Sequence, residues 1–146
     1  MPTFPSVEWF DAVRELVNKD DAYRRLGTVD ARVGVKVDDK LYELTFEAFE
    51  CAGVKEIDES ALRDLDFWLE QSPEAWKEML ENIKQHGSAD LQHTLNTLDL
   101  NQDEGLARSF DGYRRDAFYR FNQSLQHFFD SSAQVDTKFA VGAGSS

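Results

Sequence analysis

Residues 65–79, LDFWLEQSPEAWKEM, constrain the fold more than any other stretch of the chain. Leu65, Phe67 and Leu69 alternate with Asp66, Trp68 and Glu70, the period of a half-buried strand. Ser72, Pro73 and Glu74 follow as a helix start: a hydroxyl at the N-cap, proline at the first helical position and an acid in the first turn. Trp76, Met79, Leu80 and Ile83 then recur at helical spacing. A strand that passes within a few residues into an amphipathic helix has to pack helix against sheet. No polar catalytic group accompanies it.

The flanking sequence extends that picture. Ser6 before Val7, Glu8 and Trp9 predicts a first helix with Phe10, Val13, Leu16 and Val17 on its apolar stripe. Asp20 or Asp21 caps a short second helix that Gly27 can end. Val33, Val35 and Val37, then Tyr42, Leu44 and Phe46, alternate with polar residues on either side of a short Asp38–Asp39–Lys40 turn. This is an antiparallel hairpin. A weaker third strand covers residues 49–57, with Gly53 a possible bulge, and the fourth strand covers residues 65–70. Beyond the helix of residues 72–85, Ser88 can cap a helix with Leu91, Leu95 and Leu98 on one face. A long aromatic helix spans residues 112–129 with Tyr113, Ala117, Phe118, Phe121, Leu125, Phe128 and Phe129 on its stripe. The expected architecture is α+β, a largely antiparallel sheet of four to five strands in a meander, covered on one face by helices. It forms a single domain over residues 1–130, followed by a disordered tail over residues 131–146.

Composition narrows the function. The chain has 146 residues, a formal net charge of −12 and 11 phenylalanines. Twelve acids stand against Lys40, Lys55 and Arg63 between residues 38 and 74. That field repels phosphate, so nucleic acid and anionic membrane surfaces are poor partners. Cys51 is alone, which excludes an internal disulfide and a thiolate metal cluster. The first ten residues lack the features of a signal peptide, and no apolar run is long enough to span a bilayer, so no stable membrane insertion is expected. The expected location is the cytoplasm.

Chemistry is sparse. His86, His93 and His127 form no metal-binding spacing, and neither metal nor cofactor is expected. Nucleophile motifs and glycine-rich phosphate loops are missing, and Ser72 is explained as a helix cap. Paired acids such as Asp38–Asp39 and Asp58–Glu59 fall in turns, where nothing raises their pKa for acid–base work. The aromatic stripe of the last helix remains. Its periodicity is the same whether Phe118, Phe121 and Leu125 close an ordinary core or roof a cavity.

The order of the elements resembles the sterol carrier protein 2-like family. The opening FPSVEWFDAVRELVNKDDAYRRLG, the hairpin ARVGVKV-DDK-LYELTFE and the strand–helix LDFWLEQSPEAWKEML carry the resemblance, over roughly residues 4–85. It implies a twisted sheet with helices on one side, enclosing an apolar tunnel for sterols, fatty acyl chains or related lipids. By position, Trp76, Met79, Leu80 and Ile83 would lie beside that tunnel. Tyr42, Leu44, Phe46 and Phe67 would line it from the sheet, and Leu95, Phe118, Phe121 and Leu125 from the later helices. Tyr42 or Tyr113 would orient a ligand oxygen. After His86 the chain departs from the family pattern: it has no Gly-Lys-aliphatic strand, and HTLNTLDLNQDEGL leads instead into the long aromatic helix, so neither the family's fifth strand nor the tunnel's far wall is expected by resemblance. The leading expectation is a non-enzymatic carrier of a hydrophobic small molecule. Two alternatives stay open: a cofactor-free enzyme acting on a steroid- or polyketide-like substrate in the same cavity, and an interaction module whose aromatic helix forms a homodimer seam.

Overall fold

The structure, a computed structural model, describes residues 2–27, 30–101, 105–109 and 116–139. A two-residue strand β1 (Thr3–Phe4) leads into α1 (Val7–Asn18), where the Ser6 hydroxyl accepts the Trp9 N–H at 3.1 Å. Asp20 caps α2 (Asp21–Arg24) in the same way through the N–H of Ala22. The hairpin forms β2 (Ala31–Val37) and β3 (Lys40–Glu47), with Asp38 at positive φ in the turn, a conformation that acidic side chains tolerate better than most. β4 (Glu50–Ile57) pairs antiparallel with β3. The register slips between Thr45 and Phe46, which leaves Ala52 as the extra residue beside Gly53.

The chain does not continue as a meander. A 3-10 turn (Glu59–Asp64) carries it across the sheet, and β5 (Phe67–Gln71) pairs parallel with β2, Val33 opposite Phe67 and Val37 opposite Gln71. A crossover of this kind leaves no mark on strand periodicity, because parallel and antiparallel strands alternate alike. A fifth strand exists after all. β6 (Ala107–Arg108) pairs antiparallel with β5 at the sheet edge, giving the order β4-β3-β2-β5-β6. The sheet is mixed, largely antiparallel, and its inner face is covered by helices.

Those helices are α1, α3 (Pro73–His86), α4 (Leu95–Asn101) and α5 (Ala117–Asp130). Ser72 caps α3 and Gly87, at φ 84°, ends it in the left-handed region that favours glycine. α4 starts later than Ser88 predicts. Asp90 instead folds residues 90–93 into a turn by accepting the Gln92 N–H, and Leu91 is left 83% exposed rather than on a buried stripe. Tyr113 and the start of the predicted aromatic helix lie outside the described residues.

The expected disordered tail is structured as far as Phe139. Ser131–Gln134 forms a 3-10 turn, and β7 (Lys138–Phe139) pairs parallel with β1. The Trp9 indole donates to Thr137 Oγ1 at 2.8 Å and Lys84 Nζ contacts Asp136 at 3.0 Å. Residues 140–146 lie outside the described residues.

One apolar layer of buried side chains lies between sheet and helices. Val33, Val35, Tyr42, Leu44, Phe46, Phe67 and Leu69 all face it, as their alternation requires. Rings meet across the layer at 5.7 Å for Phe46 and Phe128 and 6.0 Å for Phe67 and Phe118. Such pairs stabilise by ~0.5–1.5 kcal/mol beyond the area they bury. The outer face carries a smaller cluster of Leu41, Leu62, Leu65 and Trp68. Leu65 precedes β5, so it falls in this cluster and not on the inner stripe with Phe67. Gly34 is required beneath it: a Cβ there would stand 2.6 Å from Leu65 Cδ1 and 2.8 Å from Trp68 Cβ.

Candidate functional site

Twelve side chains were expected to line a tunnel, and the structure gathers all but one of them as buried members of the inner layer. Tyr42, Leu44, Phe46 and Phe67 come from the sheet, Trp76, Met79, Leu80 and Ile83 from α3, Leu95 from α4, and Phe118 and Leu125 from α5. Phe121 packs against the layer from a half-buried position, with the Arg120 guanidinium 5.4 Å from its ring centre. Trp76 is fixed at both ends: its indole donates to the Lys36 carbonyl at 2.9 Å, and its ring lies 5.6 Å from that of Phe129.

Two surface grooves adjoin these residues. A groove of about 410 Å³ runs between the second half of α3 and the C-terminal segment. Leu80, Val135 and Phe139 supply apolar wall, and Lys84 stands at the rim with Asp136. Leu80 and Val135 belong to the inner layer as well, so the groove abuts it. On the outer face a groove of about 580 Å³ includes Arg32, Glu43, Thr45, Phe46, Lys55 and Asp66.

Burial holds three titratable groups of the interior, Cys51, Tyr23 and Tyr42, in their protonated forms. Burial pushes the Cys51 thiol up to about 12 and raises the Tyr23 hydroxyl further. Burial, then the charge of Glu56, raises Tyr42. A thiol or phenol whose pKa is raised stays protonated, which is the wrong direction for a nucleophile or base near neutral pH. Cys51 is a strand residue whose backbone the Asn18 side chain pairs on both sides, at 2.8 and 2.9 Å, closing part of the β4 edge. Asp99 is buried on α4 and accepts the backbone N–H groups of Leu106 and Ala107 at 2.7 and 3.0 Å and the Tyr119 hydroxyl at 3.3 Å. It ties the start of β6 to α4.

Gln71 differs from all of these. It is the last residue of β5, only 7% exposed, and follows Phe67 and Leu69 onto the inner face. Val37, its neighbour in register, is also in the inner layer. Neither Nε2 nor Oε1 has a hydrogen-bond partner. Because both atoms are unpartnered, turning the amide over changes nothing. Sequence periodicity stopped the strand at Glu70. One more residue of the same alternation places an amide in the apolar layer, and that was the available signal. A buried amide left unmade costs roughly 1–3 kcal/mol, so folds seldom keep one without use.

Among the described residues no helix is long and apolar enough to cross a membrane, and no three His, Cys, Asp or Glu side chains gather as metal ligands. No family model, curated protein or solved structure matches the chain.

Proposed function

We propose that this chain is a divergent sterol carrier protein 2-like carrier, which binds or transfers a hydrophobic small molecule between the sheet and its helices. The observation that carries the proposal is the orphaned amide of Gln71 inside an otherwise apolar, aromatic layer. A site for an apolar ligand typically pairs such a lining with a few polar groups that fix orientation. The groove along α3 abuts that layer at Leu80 and Val135. The helix-covered sheet and the short edge strand β6 support the family resemblance beyond the first half of the chain. Burial of ligand surface at ~25 cal/mol per Å2 supplies the affinity, against the costs of association.

The aromatic-seam alternative has less to work with, since Phe118 and Phe128 are spent inside this chain's own core. The test is titration of delipidated protein with a fluorescent sterol. Phe121→Asp, at a half-buried position, should weaken binding more than about tenfold with an unchanged circular dichroism spectrum. Lack of saturable uptake of any apolar probe by the wild-type protein defeats the proposal.

A further inference from the structure

We infer that the ligand carries an uncharged head with a hydrogen-bond donor and acceptor side by side, the simplest being a hydroxyl, and that Gln71 selects it. The inference rests on the ligand site proposed above. A glutamine amide offers donors at Nε2 and an acceptor at Oε1, and here both are vacant. A hydroxyl oxygen accepts from Nε2–H while its proton goes to Oε1, so one small group satisfies both atoms.

An ionised carboxylate does not. It accepts from Nε2 and leaves Oε1 facing negative charge with no donor. Nor does the interior hold a cation to compensate. The buried polar side chains among the described residues are Glu43, Gln71, Asp99, Ser124, Ser131 and Ser132, with no Lys, Arg or His. A charge without a partner in that layer is strongly disfavoured. The Lys84 ammonium stands at the rim of the groove, half exposed and already occupied by Asp136 and the Ala133 carbonyl. The selection is therefore for an alcohol, a protonated acid or a carboxamide over a fatty-acid anion.

The test uses the delipidated full chain and three probes of one chain length, dodecanol, dodecanoate and dodecane, each displacing bound Nile red. At about pH 8 dodecanol should displace the dye at a concentration roughly tenfold lower than dodecanoate does. Lowering the pH toward the acid's own pKa should close that gap as the head becomes neutral. Gln71→Leu, which keeps an apolar side chain on the strand, should weaken dodecanol about tenfold and leave dodecane unchanged or tighter. Equal displacement by dodecanol and dodecanoate overturns the inference while leaving the ligand site intact. So does a Gln71→Leu variant that weakens all three probes alike. If Nile red itself fails to bind saturably, the site is what has failed.

Discussion

Among the described residues each face of the sheet buries one polar side chain, Glu43 outside and Gln71 inside, and the two are treated in opposite ways. Glu43 on the outer face is 3% exposed, yet it receives Arg32 Nη2 at 3.4 Å, the Thr45 hydroxyl at 3.2 Å and Lys55 Nζ at 3.9 Å. Gln71 on the inner face, buried to a similar degree, receives nothing. The surroundings explain why. The outer face is half open, and its cations sit at the ends of long stems that reach back over the sheet. The inner face is closed by helices whose buried side chains are almost all hydrocarbon and ring. A partnered buried charge is part of the architecture, whereas an unpartnered buried amide is an uncompensated cost to the fold.

The largest expected effect tests the premise that the inner layer carries the fold. Phe128→Ala removes a ring that meets Phe46 at 5.7 Å and Phe129 at 5.5 Å. It should cost about 3–5 kcal/mol of stability, read as a lower urea midpoint. A cost below ~1 kcal/mol would mean that the layer collapses freely around the gap, and that its order is not what excludes water from Gln71.

Next in size is the pair of substitutions that sets the faces against each other. Glu43→Ala strips Arg32 and Lys55 of their carboxylate, but both side chains are about half exposed and turn to water. The loss should be about 1–2 kcal/mol. Gln71→Leu should do the reverse and stabilise the ligand-free protein by ~1 kcal/mol, since it removes an amide that burial has stripped of partners. Opposite signs in urea denaturation sharpen the contrast between the faces. If Gln71→Leu is destabilising, the amide is already served in the folded protein.

Much of this fold is legible in the sequence because it is written in local signals. Ser6, Asp20 and Ser72 cap helices as their positions demand, and the alternation of residues 31–47 fixes both the hairpin and the inner face. The crossover to β5, the pairing of β1 with β7 and the late start of α4 depend on partners far along the chain, which periodicity does not encode. The candidate site divides the same way. Its apolar lining follows from stripes, but Gln71 became visible only when β5 ran one residue further than its hydrophobic pattern. Glu43 looked like any solvated strand residue until Arg32 and Lys55 were placed beside it.

The smallest effect concerns a polar group that is neither buried nor vacant, and it sets the scale for the comparison. His93 bridges the turn after α3 to the helix itself, with Nδ1 2.7 Å from Asp90 and Nε2 2.9 Å from Glu78. The Asp90 hydrogen bond raises the pKa of His93 above its usual 6.5; burial opposes it, and the Glu78 hydrogen bond adds to the rise. The same hydrogen bond lowers Asp90 below 3.8. The signs follow from linkage. The stability contributed by His93 is fully present below about pH 6.5 and is lost as pH rises through the folded-state value. That of Asp90 is present above about pH 3.8 and is lost as pH falls through its depressed value. The bridge is therefore strongest between the two. Thermal midpoints should fall for the wild type from about pH 6 to about pH 8 relative to His93→Gln, by a degree or so at most, because solvent screens an accessible pair. Parallel pH profiles for the two proteins would show that His93 is not held charged by Asp90 and Glu78. A wild-type decline as large as the Glu43→Ala loss would show that a surface bridge here matters as much as a buried one, which erases the distinction between partnered charges inside the sheet and those outside it.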